Sequence, residues 1–392
     1  MSPIHQAHIA DLRGAARVAL DATTGIVDIV ERMHRTIQAR PLPLGRGPDT
    51  PTRGITGLVY RSVRGGMRLV GRGIDLSLGA VAGFLPAGTP LPPQRDAVVA
   101  ALNGLHGDHL LRTGNPLAIT ISLRHGGEAL DPLHPAATVK APTPRLLVLV
   151  HGLCMTDAQW RRDGHDHGAL LAEAGGFTPV YLRYNSGLHV GDNGERFAAL
   201  LELLVGNWPV PVEELVIVGH SMGGLLARSA CVHAARHLHG WPGRLKALVF
   251  LGTPHHGSPL ERGGHGIDRL LQLSPYAAPL AALGRARSAG IQDLRHGSVL
   301  RGSPAHVALP PAVACYAVAA TLASKRQPLA ERLLGDGLVS VDSALGRHRN
   351  PARTLRFLPS HQFTSHETGH LELLSHPGVA AQLTRWLVHP GR

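Results

Sequence analysis

The stretch "LVIVGHSMGGLL" (215–226) ends an apolar run on Gly219, sets a serine between glycine-flanked positions, and resumes as an apolar run at Leu225. Gly219-His220-Ser221-Met222-Gly223 is a Gly-x-Ser-x-Gly sequence. Its flanks are those of a strand entering and a helix leaving, the context in which such a serine sits on a sharp turn with its hydroxyl lifted clear of the backbone. The flanking glycines leave room for the strained conformation this requires. A following helix N-terminus favours negative charge near the hydroxyl. The chemistry indicated is nucleophilic attack by Ser221. The competing reading is a chance glycine-rich turn in a chain with 47 glycines.

A serine nucleophile needs donors for the oxyanion it generates, a base to take its proton, and a carboxylate to orient the base. In "LVLVHGLC" (147–154), His151-Gly152 closes an upstream strand. A turn there can aim the backbone N–H of Leu153 at the same point as that of Met222, forming an oxyanion hole. For the order serine, acid, histidine, the acid lies in "LLGDGLVSVDSALG" (333–346) and the base near the chain's end, in "ETGHLELLSHPGVAAQLTRWL" (367–387). Asp336 and Asp342 compete in the first segment. His361, His366, His370 and His376 compete around the second.

In order along the chain, "HGLC", "GHSMGG", "LGTPHHGS", "GDGLVSVDSA" and "GHLELLSHPGVAAQLTRWL" resemble the successive motifs of α/β-hydrolase lipases and esterases. The likeness is to the bacterial branch similar to GPI inositol-deacylases and triacylglycerol lipases. It spans about residues 143–392. The resemblance implies Ser221 as nucleophile, Asp336 as acid, His370 as general base, and Leu153 and Met222 as oxyanion donors. His151, His220 and His255 are candidates to line the pocket, with a structural turn as the rival role for His255 and its neighbour His256. Family members carry a lid where residues 258–311 interrupt the strand–helix rhythm, and apolar patches such as "IDRLLQL" suit a cover over an acyl group. The implied activity is hydrolysis of acyl or lipid-like esters through an acyl-enzyme, with no cofactor. A thioesterase or amidase using the same triad, and a non-catalytic membrane-associated hydrolase fold, are the alternatives.

The elements that must hold these groups alternate. Apolar runs at 146–150, 179–184, 214–219, 247–252, 312–320 and 354–359 read as strands, with helical patterns between several of them, as at 194–206 and 224–238. Near-continuous apolar strands imply a sheet buried on both faces, hence mostly parallel. The expected class is α/β, an α/β-hydrolase fold with a central sheet flanked by helices, a lid insertion and an N-terminal helical extension. The domains expected are a helical extension (1–94), a connecting segment with short strands (95–142) and the catalytic domain (143–392). In the connecting segment, "LAITISLRHGGEAL" reads as two short strands about a His-Gly-Gly turn. In the extension, Val59, Val63, Met67, Val70, Ile74, Leu78 and Val81 form an apolar stripe opposite Arg61, Arg64, Arg68 and Arg72. That basic amphipathic segment, residues 55–85, suits docking on the protein's own core or peripheral contact with an anionic membrane.

The formal charge of +12 is carried almost wholly by arginine, since Lys140, Lys246 and Lys325 are the only lysines. With aromatics at 4% there is little material for base stacking, and nucleic acid is not an expected partner. Cys154, Cys231 and Cys315 lack pairing or ligand spacing and read as free thiols of a reducing compartment. No secretory leader is visible at the first residues, and prolines break the longest uncharged stretches, so a cytoplasmic protein is expected. Asp163, His165, Asp166 and His167 crowd together in "RRDGHDHG" (161–168), but without metal-ligand spacing. They read as a polar helix start, and no metal is expected.

Overall fold

The computed structural model describes residues 93–257, 288–302, 307–325 and 335–389, together with residues 14, 17, 62, 63, 65 and 66. The segment 55–85, apart from those four positions, lies outside the described residues, as do residues 258–287 of the lid segment. The chain divides into two compact units, Met1–Leu91 with Leu110–Leu117, and Pro92–His109 with Ala118–Arg392. In the first, the Arg17 guanidinium donates to the Gly114 carbonyl at 2.9 Å and the Asn115 amide to that of Gly14 at 3.2 Å.

The second unit is built on an eight-stranded sheet. Its strands are β1 (Ser122–His125), β2 (Glu128–Leu130), β3 (Arg145–Val150), β4 (Thr178–Arg183), β5 (Glu214–His220), β6 (Leu245–Leu251), β7 (Ala314–Thr321) and β8 (Gln362–His366). They lie in the order β2-β1-β4-β3-β5-β6-β7-β8. β3 to β8 run parallel, and the β1–β2 hairpin adds an antiparallel edge. Gly126 and Gly127 make its two-residue turn, with φ of 59° and 86°, conformations that few other residues adopt cheaply. This is a mostly parallel sheet of the expected α/β class.

Period-two alternation sorts the strand side chains into two cores. Leu146, Val148, Val150, Ile217 and Phe250 face one layer, with helices α1 (Pro93–Arg112), α3 (Val190–Gly206), α4 (Met222–Arg236) and α5 (Ala289–His296). Leu147, Leu149, Val218, Val249 and Val318 face the other, which holds α2 (His167–Gly175) and the last helix, α7 (Pro377–Leu387); the short α6 (Val341–Ala344) precedes it in sequence. Burial on both faces is why these strands read as continuous apolar runs. No helix among the described residues is long and apolar enough to cross a membrane.

Two features depart from the sequence reading. The run at 354–359 is extended but joins no ladder. Leu355 and Phe357 are buried, Phe357 edge-on to Phe250 at 5.8 Å, and Pro359 opens a 3-10 turn through His361. Pairing with β7 starts only after that turn, so the eighth strand is the more polar Gln362–His366, as suits an edge. The stretch read as a connecting segment with short strands also contains α1, bent at His106 and irregular in its apolar spacing. Asp96 in its first turn pairs with Arg183 of β4 at 2.5 Å, and Asp157 takes the same guanidinium at 3.2 Å.

Candidate active site

β5 ends at His220 and α4 begins at Met222, so Ser221 alone makes the turn, with φ 54° and ψ −123°. A non-glycine residue in that region costs about 1–3 kcal/mol and persists only where its surroundings dictate it. The Ser221 N–H donates to Leu251 of β6 at 2.8 Å, and the Ser221 carbonyl accepts from Gly224 at 3.1 Å. The glycines allow the close approach behind the turn. A Cβ on Gly219 would sit 2.6 Å from the Gly224 Cα, and one on Gly223 only 2.2 Å from the Val150 carbonyl oxygen.

Asp336 follows β7 and His370 follows β8, and their side chains meet at the carboxyl edge of the sheet. His370 Nδ1 lies 2.6 Å from Asp336 Oδ2, with both side chains about 1% exposed. The other carboxylate oxygen accepts from Leu338 N–H at 2.9 Å and Val339 N–H at 2.7 Å, which fixes the carboxylate's orientation. Such a carboxylate requires a proton on Nδ1, leaving Nε2 as the ring's acceptor. The backbone repeats the connection, with His370 N–H donating to the Asp336 carbonyl at 3.2 Å.

His370 is tied to both neighbours of the Ser221 turn. His220 Nε2–H donates to the His370 carbonyl at 3.1 Å, the two rings being 4.8 Å apart. A Cβ on Gly252, directly after Leu251, would lie 3.1 Å from His370 Cε1. Gly152 approaches from β3, where an added Cβ would be 3.0 Å from the Ser221 Cβ and 3.1 Å from His220 Nδ1. The backbone N–H groups of Leu153 and Met222 find no acceptor among the described residues. Met222 is the first residue of its helix, whose leading N–H groups have no partner within it.

The three histidines proposed for the pocket differ in role. His151 stacks on Tyr184 with ring centres 4.3 Å apart, donates from Nδ1 to Gly152 and accepts the Tyr184 N–H at Nε2. Complete burial pushes it down to about 3, so it stays neutral and braces the loop. Burial also holds His220 well below the imidazole range, with the neighbouring His370 ring adding to the effect. His255 is buried against Phe250, Phe357 and Arg228, 3.3 Å from the Arg228 Nη1, which makes its Nδ1 an acceptor. It therefore belongs to the packing behind the site, and His256 bonds Gly346 at 2.9 Å.

The rivals lie elsewhere. Asp342 is 46% exposed and faces Arg347 at 3.6 Å. His361 contacts the Cys315 carbonyl at 3.2 Å, and His376 caps α7 by accepting the Gly378 N–H at 3.1 Å. His366 lies on β8. In the 161–168 cluster, Asp166 caps α2 and accepts from Tyr181, His165 bonds His167 at 2.8 Å, and His167 reaches the Leu373 carbonyl at 2.9 Å. Two supports had no sequence signal. Ser186 Oγ accepts the N–H of Cys154, a residue at φ 58°, and Tyr184 donates to the His151 carbonyl, so both steady the loop that carries Leu153. A cavity of about 550 Å³ beside Leu309, Cys315 and Leu355 opens at the start of β7, at the opposite edge of the sheet.

Residues 198–282 match a family model described as a PGAP1-like alpha/beta domain. That window contains Ser221 but neither Asp336 nor His370. No curated protein matches the sequence. Among solved structures, the mature form of the Bacillus licheniformis lipase BlEst2 is similar at 20% identity, covering 64% of this chain and 95% of that one with a TM-score of 0.43. An esterase from Pyrobaculum calidifontis is similar at 14% identity, over 76% and 96% of the two chains, with a TM-score of 0.41. The RedJ thioesterase of the prodiginine pathway in Streptomyces coelicolor is similar at 17% identity, over 62% and 89%, with a TM-score of 0.37.

Proposed function

We propose that this chain is a serine hydrolase of carboxylic esters, with Ser221, His370 and Asp336 as its triad. The observation that carries the reading is the buried 2.6 Å pair of His370 and Asp336, tied through His220 and Gly252 to a serine held at positive φ. His370 Nε2 takes the Ser221 hydroxyl proton as Oγ attacks the ester carbonyl. The resulting oxyanion is met by the Leu153 and Met222 N–H groups, each worth about 3 kcal/mol if single donors elsewhere are a guide. The imidazolium then gives its proton to the departing alkoxide, which leaves as the alcohol. Water attacks the acyl-enzyme while passing a proton to His370, and that proton returns to Ser221 as the acid departs. Asp336 holds Nδ1–H throughout and stabilises the imidazolium.

The substrate class is an acyl or lipid-like ester. The apolar patches in the segment 258–311, such as "IDRLLQL" and "APLAALG", support an apolar cover over the bound acyl chain. A fluorophosphonate probe is expected to label Ser221, and Ser221→Ala to abolish labelling and lower turnover on p-nitrophenyl esters by a factor on the order of 10⁴ or more. Hydrolysis by that variant at a near-wild-type rate would remove Ser221 from the mechanism. A matched panel of esters and coenzyme-A thioesters, run over a series of acyl lengths, assigns the preferred bond and chain.

A further inference from the structure

The far end of α4 from Ser221 carries a cluster that the hydrolytic site does not use. His233 and His237 are one helical turn apart on a single face, and Glu195 of α3 lies opposite them. The two rings are nearly parallel, 11° apart in plane with centres 6.3 Å apart. His237 Nε2 is 3.4 Å from Glu195 Oε1, and one ligand atom from each of the three residues lies within 4.8 Å of the others. His233 Nε2 is buried and has no hydrogen-bond partner. A buried polar atom left unpaired calls for an explanation, and an ion would supply one.

We propose that Glu195, His233 and His237 bind one divalent transition-metal ion, zinc by the chemistry of the donors, as a structural clamp between α3 and α4. Two imidazole nitrogens and one carboxylate oxygen suit zinc(II), with a water completing a tetrahedron. Tetrahedral bonds of about 2.0–2.1 Å separate neighbouring ligand atoms by about 3.4 Å. The Glu195–His237 spacing already has that value, and no separation in the cluster needs to close by more than about 1.4 Å. Side-chain rotation suffices, since His237 and Glu195 are 50% and 57% exposed.

Beside the cluster the two helices pack closely: a Cβ on Gly194, the residue before Glu195, would lie 2.1 Å from the Oγ of Ser229, one turn before His233. The C-terminal end of α4 is an end of a helix that favours cations, its His233 and Ala234 carbonyls already accepting from the N–H groups of His237 and His239. Arg236 in the same turn opposes a cation, and Asp192 of α3, paired to Arg301 at 3.2 Å, offsets it. At 1.5 Å per residue, the cluster stands about 18–24 Å along the helix from Ser221. The ion would stiffen the helix behind the nucleophile and take no part in the chemistry.

The test uses the full chain stripped with EDTA and dialysed. Zinc is titrated by calorimetry and cobalt(II) by visible absorption, and melting is followed with and without zinc. One equivalent is expected to bind, with intense visible cobalt bands of tetrahedral type and a higher melting temperature. Glu195→Gln and His237→Ala should each weaken binding at least tenfold, the low end of what even outer-sphere partners of a metal are worth. The double variant should lose both the saturable equivalent and the melting shift. His165→Ala, in the other histidine pair, should change nothing, and ester hydrolysis should be unaffected by EDTA. Absence of saturable binding overturns the proposal, as does binding that survives in the double variant or disappears with His165→Ala. The readouts are metal binding and melting, so they stand apart from the outcome of the hydrolysis tests.

Discussion

Replacing Asp336 by asparagine probes the mechanism without altering the shape of the site. The amide oxygen can keep the Leu338 and Val339 N–H groups now bound to Oδ1 at 2.9 and 2.7 Å, which turns the amide NH₂ toward His370. Across the 2.6 Å contact, a donor then faces a nitrogen that must itself carry a proton in the working tautomer. Keeping that tautomer leaves two buried donors unpaired, at about 1–3 kcal/mol each, and forfeits a charge-assisted bond to the imidazolium of about 1.5–3 kcal/mol. The resulting barrier increase is roughly 4–9 kcal/mol, which contains the 10⁴-fold loss, about 5.5 kcal/mol, known for the corresponding change in a serine protease. Alternatively the ring flips its proton to Nε2 and cannot accept one from Ser221, with the same result. Steady-state hydrolysis of p-nitrophenyl butyrate, with melting curves run in parallel, measures the effect. Asp336→Asn is expected to melt near the wild type and lose on the order of 10⁴-fold in kcat/KM. Asp342→Asn, on an exposed side chain facing Arg347, should keep wild-type kinetics. A kcat/KM within tenfold of wild type for Asp336→Asn, with the fold intact, would refute the assignment.

Two other predictions concern the frame around the site. His151 and His167 are held neutral by burial at about 3 and about 4, against an ordinary 6.5, so the unfolded chain binds more protons as pH falls. Their contribution is complete above about pH 6.5 and is lost steadily toward about pH 4 for His167 and about pH 3 for His151. Between pH 7.5 and 5, each should lower the unfolding free energy by about 2 kcal/mol, and urea melts at those pH values check this; a flat profile contradicts it. Gly223→Ala drives a methyl group to 2.2 Å from the Val150 carbonyl oxygen and 2.6 Å from that of His151, both backbone atoms that cannot swing away. Overpacking of this kind costs about 1–3 kcal/mol, and shifting Met222 N–H should reduce kcat more than it alters KM. A variant with an unchanged melting temperature and turnover would show that the elbow is not packed as described.

The sharp turn that carries Ser221 is legible because its signal is local. A serine at positive φ between strand and helix needs small neighbours within a few residues, and Gly219 and Gly223 record that need in the sequence. The parallel sheet was legible for a similar reason, since strands buried on both faces must be apolar at nearly every position. Edge strand β8 escaped because its outer edge has no such constraint, and Leu355 and Phe357 imitated a strand while serving only the core. His233 and His237 stand four residues apart at the end of α4, yet nothing in sequence brings Glu195 within 3.4 Å of His237. Likewise, family resemblance and chain order pointed to Asp336 and His370, but a carboxylate and an imidazole 34 residues apart do not announce which of several candidates will meet. That choice belongs to the fold: β7 and β8 lie side by side, both deliver their carboxyl ends to one edge, and two backbone amides turn one carboxylate toward one ring. Sequence alone fixed the residues whose neighbours in the chain are also their neighbours in space. Contacts between distant segments were decided by the closing of the sheet.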